Sequence, residues 1–302
     1  MKKKSKLELW IAFGAIALIY IGVLILEKTV NSSSIIFTVL KKGAIYSLVA
    51  VSMNLLNGFT GLFSLGQAGF MLIGAYTYSI FTMPVSVKIT EQVYKYYQCA
   101  VPFDTGIFIG LVCAGLAAAL FAALIGLPVL RLKSDYLAIA TIGFAEILRA
   151  IFQWDVLGPL TNGANVMRKY LDLTSVKIPF TDIPFPPTLY VFLISGLCIG
   201  LIVLLINSSY GRAFKAIRDD EIAAEAMGIN LFKHKEMSFV ISSFFAGVSG
   251  ALLAMYQYTV QAAQFKSAMT YEILLIVVIG GIGSVSGSCI ASFLYIAASE
   301  WW

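Results

Sequence analysis

The chain has 302 residues, 59% of them hydrophobic and 12% charged, and its mean hydropathy of +0.87 exceeds anything a soluble domain of this size needs to bury. An ordinary soluble fold is therefore excluded. The expected class is an all-α polytopic membrane protein, because spans rich in Leu, Ile, Ala and Phe satisfy their backbone groups in lipid as helices.

Segments of about 20 mostly apolar residues, the length that crosses a bilayer, recur about eight times, at 9–26, 43–58, 62–82, 106–130, 135–153, 188–206, 236–258 and 270–298. They read as one transmembrane domain over 1–302. The net charge of +5 follows the membrane and does not point to nucleic acid. Lys2, Lys3, Lys4 and Lys6 precede the first span; placing them in the cytosol also places Arg131, Lys133, Arg212, Lys215, Arg218, Lys233 and Lys235 there. Eleven of the 21 basic residues then lie inside and seven outside (Lys28, Lys88, Lys95, Arg168, Lys169, Lys177, Lys266), with Lys41, Lys42 and Arg149 in or beside spans. This bias predicts a multi-pass protein of the cell membrane with a cytoplasmic N-terminus. The first span carries a basic flank like a signal sequence, yet no convincing small-residue cleavage site follows Leu26, so a retained anchor is expected.

After that span comes a polar turn at 31–34, then IIFTVLKK, which interrupts the apolar pattern. Lys41 and Lys42 mark an interface there, with 35–40 lying along or dipping into the bilayer. From Asn54 the text changes to NLLNGFTGLFSLGQAGFMLIGAY, too apolar for a soluble loop and too rich in glycine for a plain helix. Small residues that let helices pack closely explain it; so does a broken helix whose backbone faces a polar path. Asn54, Asn57, Ser64 and Gln67 favour the second reading, and being uncharged they suit a neutral or zwitterionic solute. The next external loop, 83–105, carries Tyr94, Tyr96, Tyr97 and Cys99.

In the helix expected from Ser134, Glu146 and Arg149 stand three apart on one face. Ionisable groups in a span pair or line a cavity; alternatively Arg149 snorkels outward and Glu146 neutralises it. The long external loop 154–187 is large enough for a docking face. The last apolar run carries Glu272 and is broken at Gly280, Gly281, Gly283 and Gly287, so glycine-broken spans near both ends hint at two related halves. Cys99, Cys113, Cys198 and Cys289 show no paired spacing, and His234 stands alone among lysines, so neither a metal site nor a disulfide framework is indicated. Without a phosphate-binding loop or nucleophile motif, no catalytic residue and no cofactor is assigned to this chain.

The charge-dense stretch 208–235 organises the rest. Arg212, Lys215, Arg218, Asp219, Asp220, Glu221 and Glu225 fall within fourteen residues, interleaved with Phe214, Ile217, Ala223, Ala224, Ala226 and Met227. That mixture predicts a short amphipathic helix or pair of helices on the cytoplasmic side. Asp219 and Asp220 suit a helix N-terminus and Gly228 the position after a C-terminus. A solvated loop that merely carries positive-inside charge fits the same residues.

Four segments, MNLLNGFTGLFSLGQAGFMLIGAY (53–76), LRLKSDYLAIATIGFAEILR (130–149), GRAFKAIRDDEIAAEAMGIN (211–230) and YEILLIVVIGGIGSVSG (271–287), together resemble the permease subunits of branched-chain amino-acid ABC importers, in the family's order and over most of the chain. Ser134 departs from the family's frequent glycine, and TNGANV (161–166) from a glycine-richer external turn. The resemblance implies that the loop 209–235 docks into a separate ATP-binding cassette subunit, with Ala223, Ala224 and Gly228 in the loose Ala-Ala-x-x-x-Gly pattern of coupling loops and a flat small-residue face for contact. It also implies a second, related permease subunit and an extracytoplasmic solute-binding protein as partners. The solutes expected are leucine, isoleucine and valine, whose charged ends Asn54, Asn57 and Gln67 are placed to meet. Such permeases usually run longer, which leaves room for a further span after Trp302. Permeases for sugars, urea or amides share the superfamily, and an ATP-independent carrier using Glu146, Arg149 and Glu272 as an ion relay is the competing class.

Overall fold

The computed structural model describes residues 35–89, 93, 94, 97, 99–132, 134–176 and 185–301, with Tyr20 and Gly22. The rest of the expected first span 9–26, the turn at 31–34, Lys95, Tyr96, Lys133 and 177–184 of the long external loop lie outside them.

The first long helix, α1 (Ile35–Asn54), continues without interruption into a π-helical turn, Leu55–Thr60. Residues 35–40 are thus part of the spanning helix and not a separate interfacial segment. Lys42 is accommodated there because its Nζ pairs with Glu300 at 2.6 Å and lies 6.0 Å from the Tyr46 ring centre. From Gly43 onward α1 is enclosed; Ile45, Leu48, Val49, Ala50, Val51 and Met53 are all fully buried. Its neighbours are α7 (Pro187–Asn207), α10 (Leu231–Gln257), α11 (Ser267–Gly280) and α12 (Val285–Trp301).

The chain leaves the helix at Gly61, which takes a left-handed φ of 77°, and runs irregularly to Gly66 before α2 (Gln67–Thr82). The expected span 62–82 is therefore helical only from 67. Asn57 holds the exit, accepting from Ser64 N at 3.2 Å through Oδ1. The glycines of this stretch serve both readings: Gly61 breaks the helix, whereas Gly74 packs it. A Cβ at Gly74 would overlap the Gly247 carbonyl of α10, and one at Gly250 would overlap the Met71 carbonyl of α2. These two helices therefore meet backbone to backbone, with α4 (Ile107–Val129) against both.

Outside this core, the short α3 (Val85–Ile89) precedes α4; α5 (Ser134–Gln153) and the small α6 (Gly158–Thr161) follow it. Two short helices, α8 (Ser209–Asp219) and α9 (Glu221–Ala226), sit between α7 and α10. Strands β1 (Met167–Arg168) and β2 (Thr259–Val260) pair antiparallel, Met167 opposite Val260. They clamp the long loop between α5 and α7 onto the segment that leads into α11.

Among the described residues five helices are long and apolar enough to cross a bilayer: Ile35–Thr60, Ile107–Val129, Tyr136–Gln153, Pro187–Asn207 and Leu231–Gln257. The outer faces of α4 and α7 leave Leu120, Leu124 and Leu204 exposed, which suits hydrocarbon surroundings. The expected last span, 270–298, is not one helix. It is a hairpin of α11 and α12, with 14 and 17 residues, or about 21 and 26 Å, each shorter than the roughly 30 Å hydrocarbon core. Gly281 (φ 93°) and Gly283 (φ 84°) turn it, and Gly280 against Gly287 closes it so tightly that a Cβ at either would meet backbone.

Gly250→Val should cost about 3 kcal/mol, the upper end of overpacking because the atom met is a carbonyl and cannot swing aside. Gly200→Ala, on α7 with nothing within 4 Å of a Cβ, should be neutral or stabilising by up to about 1 kcal/mol. Reversible unfolding in mixed micelles compares the two; equal effects would contradict this packing.

A candidate coupling junction and solute path

The charge-dense segment is built as two capped helices. Ser208 opens α8, its hydroxyl accepting from Tyr210 N, and Gly211, Phe214 and Ile217 form its buried face. Asp220 opens α9, accepting from Ile222 N at 2.9 Å and Ala223 N at 3.0 Å, a pair of donors otherwise left open at a helix start. Asp219, by contrast, closes α8. After α9, Gly228 takes φ 84°, with Gly228 N bonded to Glu225 O and Ile229 N to Ala224 O, the paired bonds of a Schellman stop. Asn230 then caps α10 through Lys233 N at 3.0 Å. Lys235 pins α9 to α10 by its 2.7 Å pair with Glu221. Arg212 bonds Ser209 Oγ at 2.9 Å within α8.

The outward surface of this unit differs from a flat small-residue face. Ala224 is buried, whereas Ile222 and Met227 project at 83% and 84% exposure, with Ala223 and Ala226 exposed between them. Alanine spacing alone does not say which alanine turns inward.

Arg218 joins this unit to the membrane helices. Its Nη1 donates to Gly58 O at 3.2 Å, one of the last carbonyls of the π-helical turn, where a cation is favoured. Its Nε and Nη2 hold Asp219 Oδ1 at 3.0 and 2.7 Å. Lys215 Nζ stands 5.6 Å from the Phe59 ring centre. Four residues before Gly58, fully buried Asn54 reaches the α11–α12 turn. Its Oδ1 accepts from Gly283 N at 2.7 Å, and its Nδ2 donates to Ser288 Oγ at 2.8 Å and Ser284 O at 3.0 Å. One break in α1 is thus tied on one side to α8 and on the other to the hairpin tip.

The remaining candidates are placed as follows. Asn57 bonds Ser64 locally. Gln67 Nε2 donates to Ser242 Oγ at 3.0 Å, and Ser242 in turn to Ser52 O at 2.6 Å, which joins α2, α10 and α1. Among the described residues Ser64 Oγ and Gln67 Oε1 are buried without a hydrogen-bond partner. The amides of Asn54, Asn57 and Gln67 are therefore engaged inside the protein. Glu146 pairs with Arg149 Nε at 2.7 Å, and its second oxygen accepts from Ser267 N at 3.0 Å, capping α11. Glu272, one and a half turns further along α11, lines a cleft with Tyr46, Gln257, Gln264 and Lys266. Among the described residues no hydrogen bond or ion pair joins it to Glu146 or Arg149.

Sequence reading missed the buried hydroxyls that tie helices together, such as Ser242, Ser249 on Ile45 O at 3.0 Å and Thr270 on Ala68 N at 3.2 Å. Their signal, small polar residues inside apolar runs, is the one that marks helix interfaces in lipid.

The model of the family described as branched-chain amino acid transport system permease component matches residues 35–302. The chain belongs to this family. It is 32% identical over 278 residues to the LivM high-affinity branched-chain amino acid transport system permease protein of Escherichia coli K12, covering 85% of this chain and 61% of that one. The Salmonella typhimurium LivM protein is 31% identical over the same shares. A probable branched-chain amino acid transport permease protein, LivH, of Methanocaldococcus jannaschii is 25% identical over 262 residues, 85% of this chain and 78% of that one. The chain spans about three fifths of the length of the two LivM relatives. No solved structure matches it. Membership of a permease family agrees with the apolar helices in making this a multi-pass membrane protein.

In this protein Asn54→Leu should cost about 2–3 kcal/mol, because it takes the acceptor from Gly283 N–H and removes the bonds to Ser284 O and Ser288 Oγ at a fully buried position. Asn57→Leu, half-buried and among the described residues bonded only to Ser64, should cost about 1 kcal/mol. Unfolding in mixed micelles measures both, and an Asn54→Leu protein as stable as the parent would refute the staple.

Proposed function

We propose that this protein is the membrane permease subunit of an ABC importer for branched-chain amino acids, lying in the cell membrane with its N-terminus in the cytosol. ATP is hydrolysed by a separate cassette subunit that docks on α8 and α9. A second, related permease completes the pore, and an external solute-binding protein delivers the amino acid at the face bearing β1 and β2. The carrying observation is the rigid, capped α8–α9 unit with two bare apolar side chains outward and Arg218 inward on the broken helix. Ile222 and Met227 are suited to insert into a partner's groove, where burial of each stabilises by about 1.5–3 kcal/mol. Arg212, Asp219 and Asp220 frame and orient that surface, while Ala223 lets the partner approach and Ala224 and Gly228 set the helix and its stop.

Force applied at α8 reaches the Gly58 carbonyl through Arg218, and Asn54 carries the displacement to the hairpin tip. The pore then changes where α11 and α12 meet α1. The relay reading, an ATP-independent carrier, is disfavoured because Glu146 is occupied by Arg149 and Ser267 N and no bond links that pair to Glu272.

The test uses the complex isolated from native membranes. Met227→Glu with Ile222→Glu should release the ATPase subunit and abolish ATP-driven leucine uptake in vesicles, with normal amounts of permease in the membrane. Arg218→Ala should retain the ATPase subunit yet lower uptake about tenfold, since the junction is lost and the docking face is kept. Undiminished uptake in the double variant would refute the docking surface.

A further inference from the structure

Glu272 is unusual in its surroundings. It is half-buried on an apolar helix, and among the described residues its carboxylate has no hydrogen-bond or ion-pair partner. Such a group in a membrane helix is expensive unless it meets a counter-charge. Around the same cleft, among the described residues, Lys266 makes no ion pair, and the hydroxyl of Tyr46, a residue 6% exposed, makes no hydrogen bond. Gln257 and Gln264 add two side-chain amides without hydrogen bonds, and Leu253, Phe265 and Met269 supply an apolar wall. The cavity measures about 190 Å³, below the roughly 300–1,000 Å³ typical of drug-sized sites. It admits a small solute and excludes a peptide.

Its depth is also informative. Tyr46 precedes Thr60 by fourteen residues, and α11 is 14 residues long, so by both helices the cleft mouth lies about 21 Å from the hairpin tip. That places it at the end of the hairpin remote from Arg218 and the charge-dense segment. Its floor is fixed, because Glu146 grips the first amide of α11 at 3.0 Å while Arg149 holds Glu146.

We propose that this cleft is a binding station for a free α-amino acid, with the ammonium group on Glu272, the carboxylate toward Lys266, Gln257 and Gln264, and an aliphatic side chain against Leu253, Phe265 and Met269. One unpaired carboxylate and one unpaired ammonium across a small cavity complement a zwitterion and match neither a cation nor an anion alone. The assignment rests on the importer reading and specifies where within it the solute pauses.

The experiment measures initial rates of ATP-driven uptake of labelled leucine across a concentration series, in vesicles holding the complete importer, for the parent, Glu272→Gln, Glu272→Asp and Lys266→Gln, with permease levels checked by immunoblot. Loss of a charge-assisted contact predicts about a tenfold or larger fall for Glu272→Gln, substantial recovery in Glu272→Asp, and a smaller fall, about threefold, for the more exposed Lys266→Gln. Parental uptake in Glu272→Gln overturns the cleft and leaves the importer standing. Equal losses in Glu272→Gln and Glu272→Asp at parental protein levels also overturn it, since a binding role requires the carboxylate. A parent that imports no leucine overturns both assignments.

Discussion

The buried side chain of Asn54 is the point on which the membrane part of this protein turns. In lipid a helix break must find partners for the groups it frees, and here the break in α1 and the turn between α11 and α12 supply each other's. Asn54 accepts the Gly283 amide and donates to Ser284 and Ser288, so two interrupted helices become one packed unit. Arg218 adds the third member by bonding the Gly58 carbonyl. An arginine suits that role, because a planar fork can hold a backbone carbonyl and Asp219 at once. Without this knot the hairpin, too short in each arm to cross a bilayer, would have no anchor at its tip.

Around the knot the core is held by close approach of backbones. Gly74 and Gly250 bring α2 and α10 into contact that no larger residue permits, Gly247 does the same for α10 against Ala114 and Ala118 of α4, and single hydroxyls from Ser242, Ser249 and Thr270 bridge neighbouring helices. Lipid gives no hydrophobic drive for helices to associate, so packing and such bonds carry the association. The resulting body is stiff around α1, α2 and α10, while the hairpin is fastened at its two ends, by Asn54 at the tip and by Glu146 and Glu300 at the opposite end. A stiff body beside an element held at discrete points is what a gate requires.

Hydropathy made the membrane class and most spans legible, since it sums over twenty residues and tolerates local detail. It failed where the chain bends. The run 270–298 reads as one span because Gly281 and Gly283 are as apolar as their neighbours, and only their positive φ makes a hairpin of it. Conversely, Lys41 and Lys42 suggested an interface, but Glu300, 258 residues away from Lys42, lets the helix continue. The helix caps of the segment 208–230 were better read, because capping is local: Asp220 accepts from amides two and three residues on, and Gly228 stops the helix it follows. The amides of Asn54 and Gln67 were singled out for their polarity, and their partners, 175 to 234 residues distant, lie beyond any local pattern. Which of Ala223 and Ala224 faces out, and that Ile222 and Met227 project, depends on how α9 is rotated against its neighbours.

The central claim is that α8 and the hairpin tip move as one piece through Arg218, Gly58 and Asn54. Pulsed electron–electron resonance tests it on the complete importer, with native cysteines replaced and spin labels at Arg212→Cys on α8, Ile282→Cys at the tip and Ile139→Cys on α5, compared with and without a non-hydrolysable ATP analogue. The account predicts an unchanged 212–282 distance while the 139–282 distance shifts by a few ångströms. A nucleotide-dependent change between 212 and 282, with 139–282 constant, would contradict it.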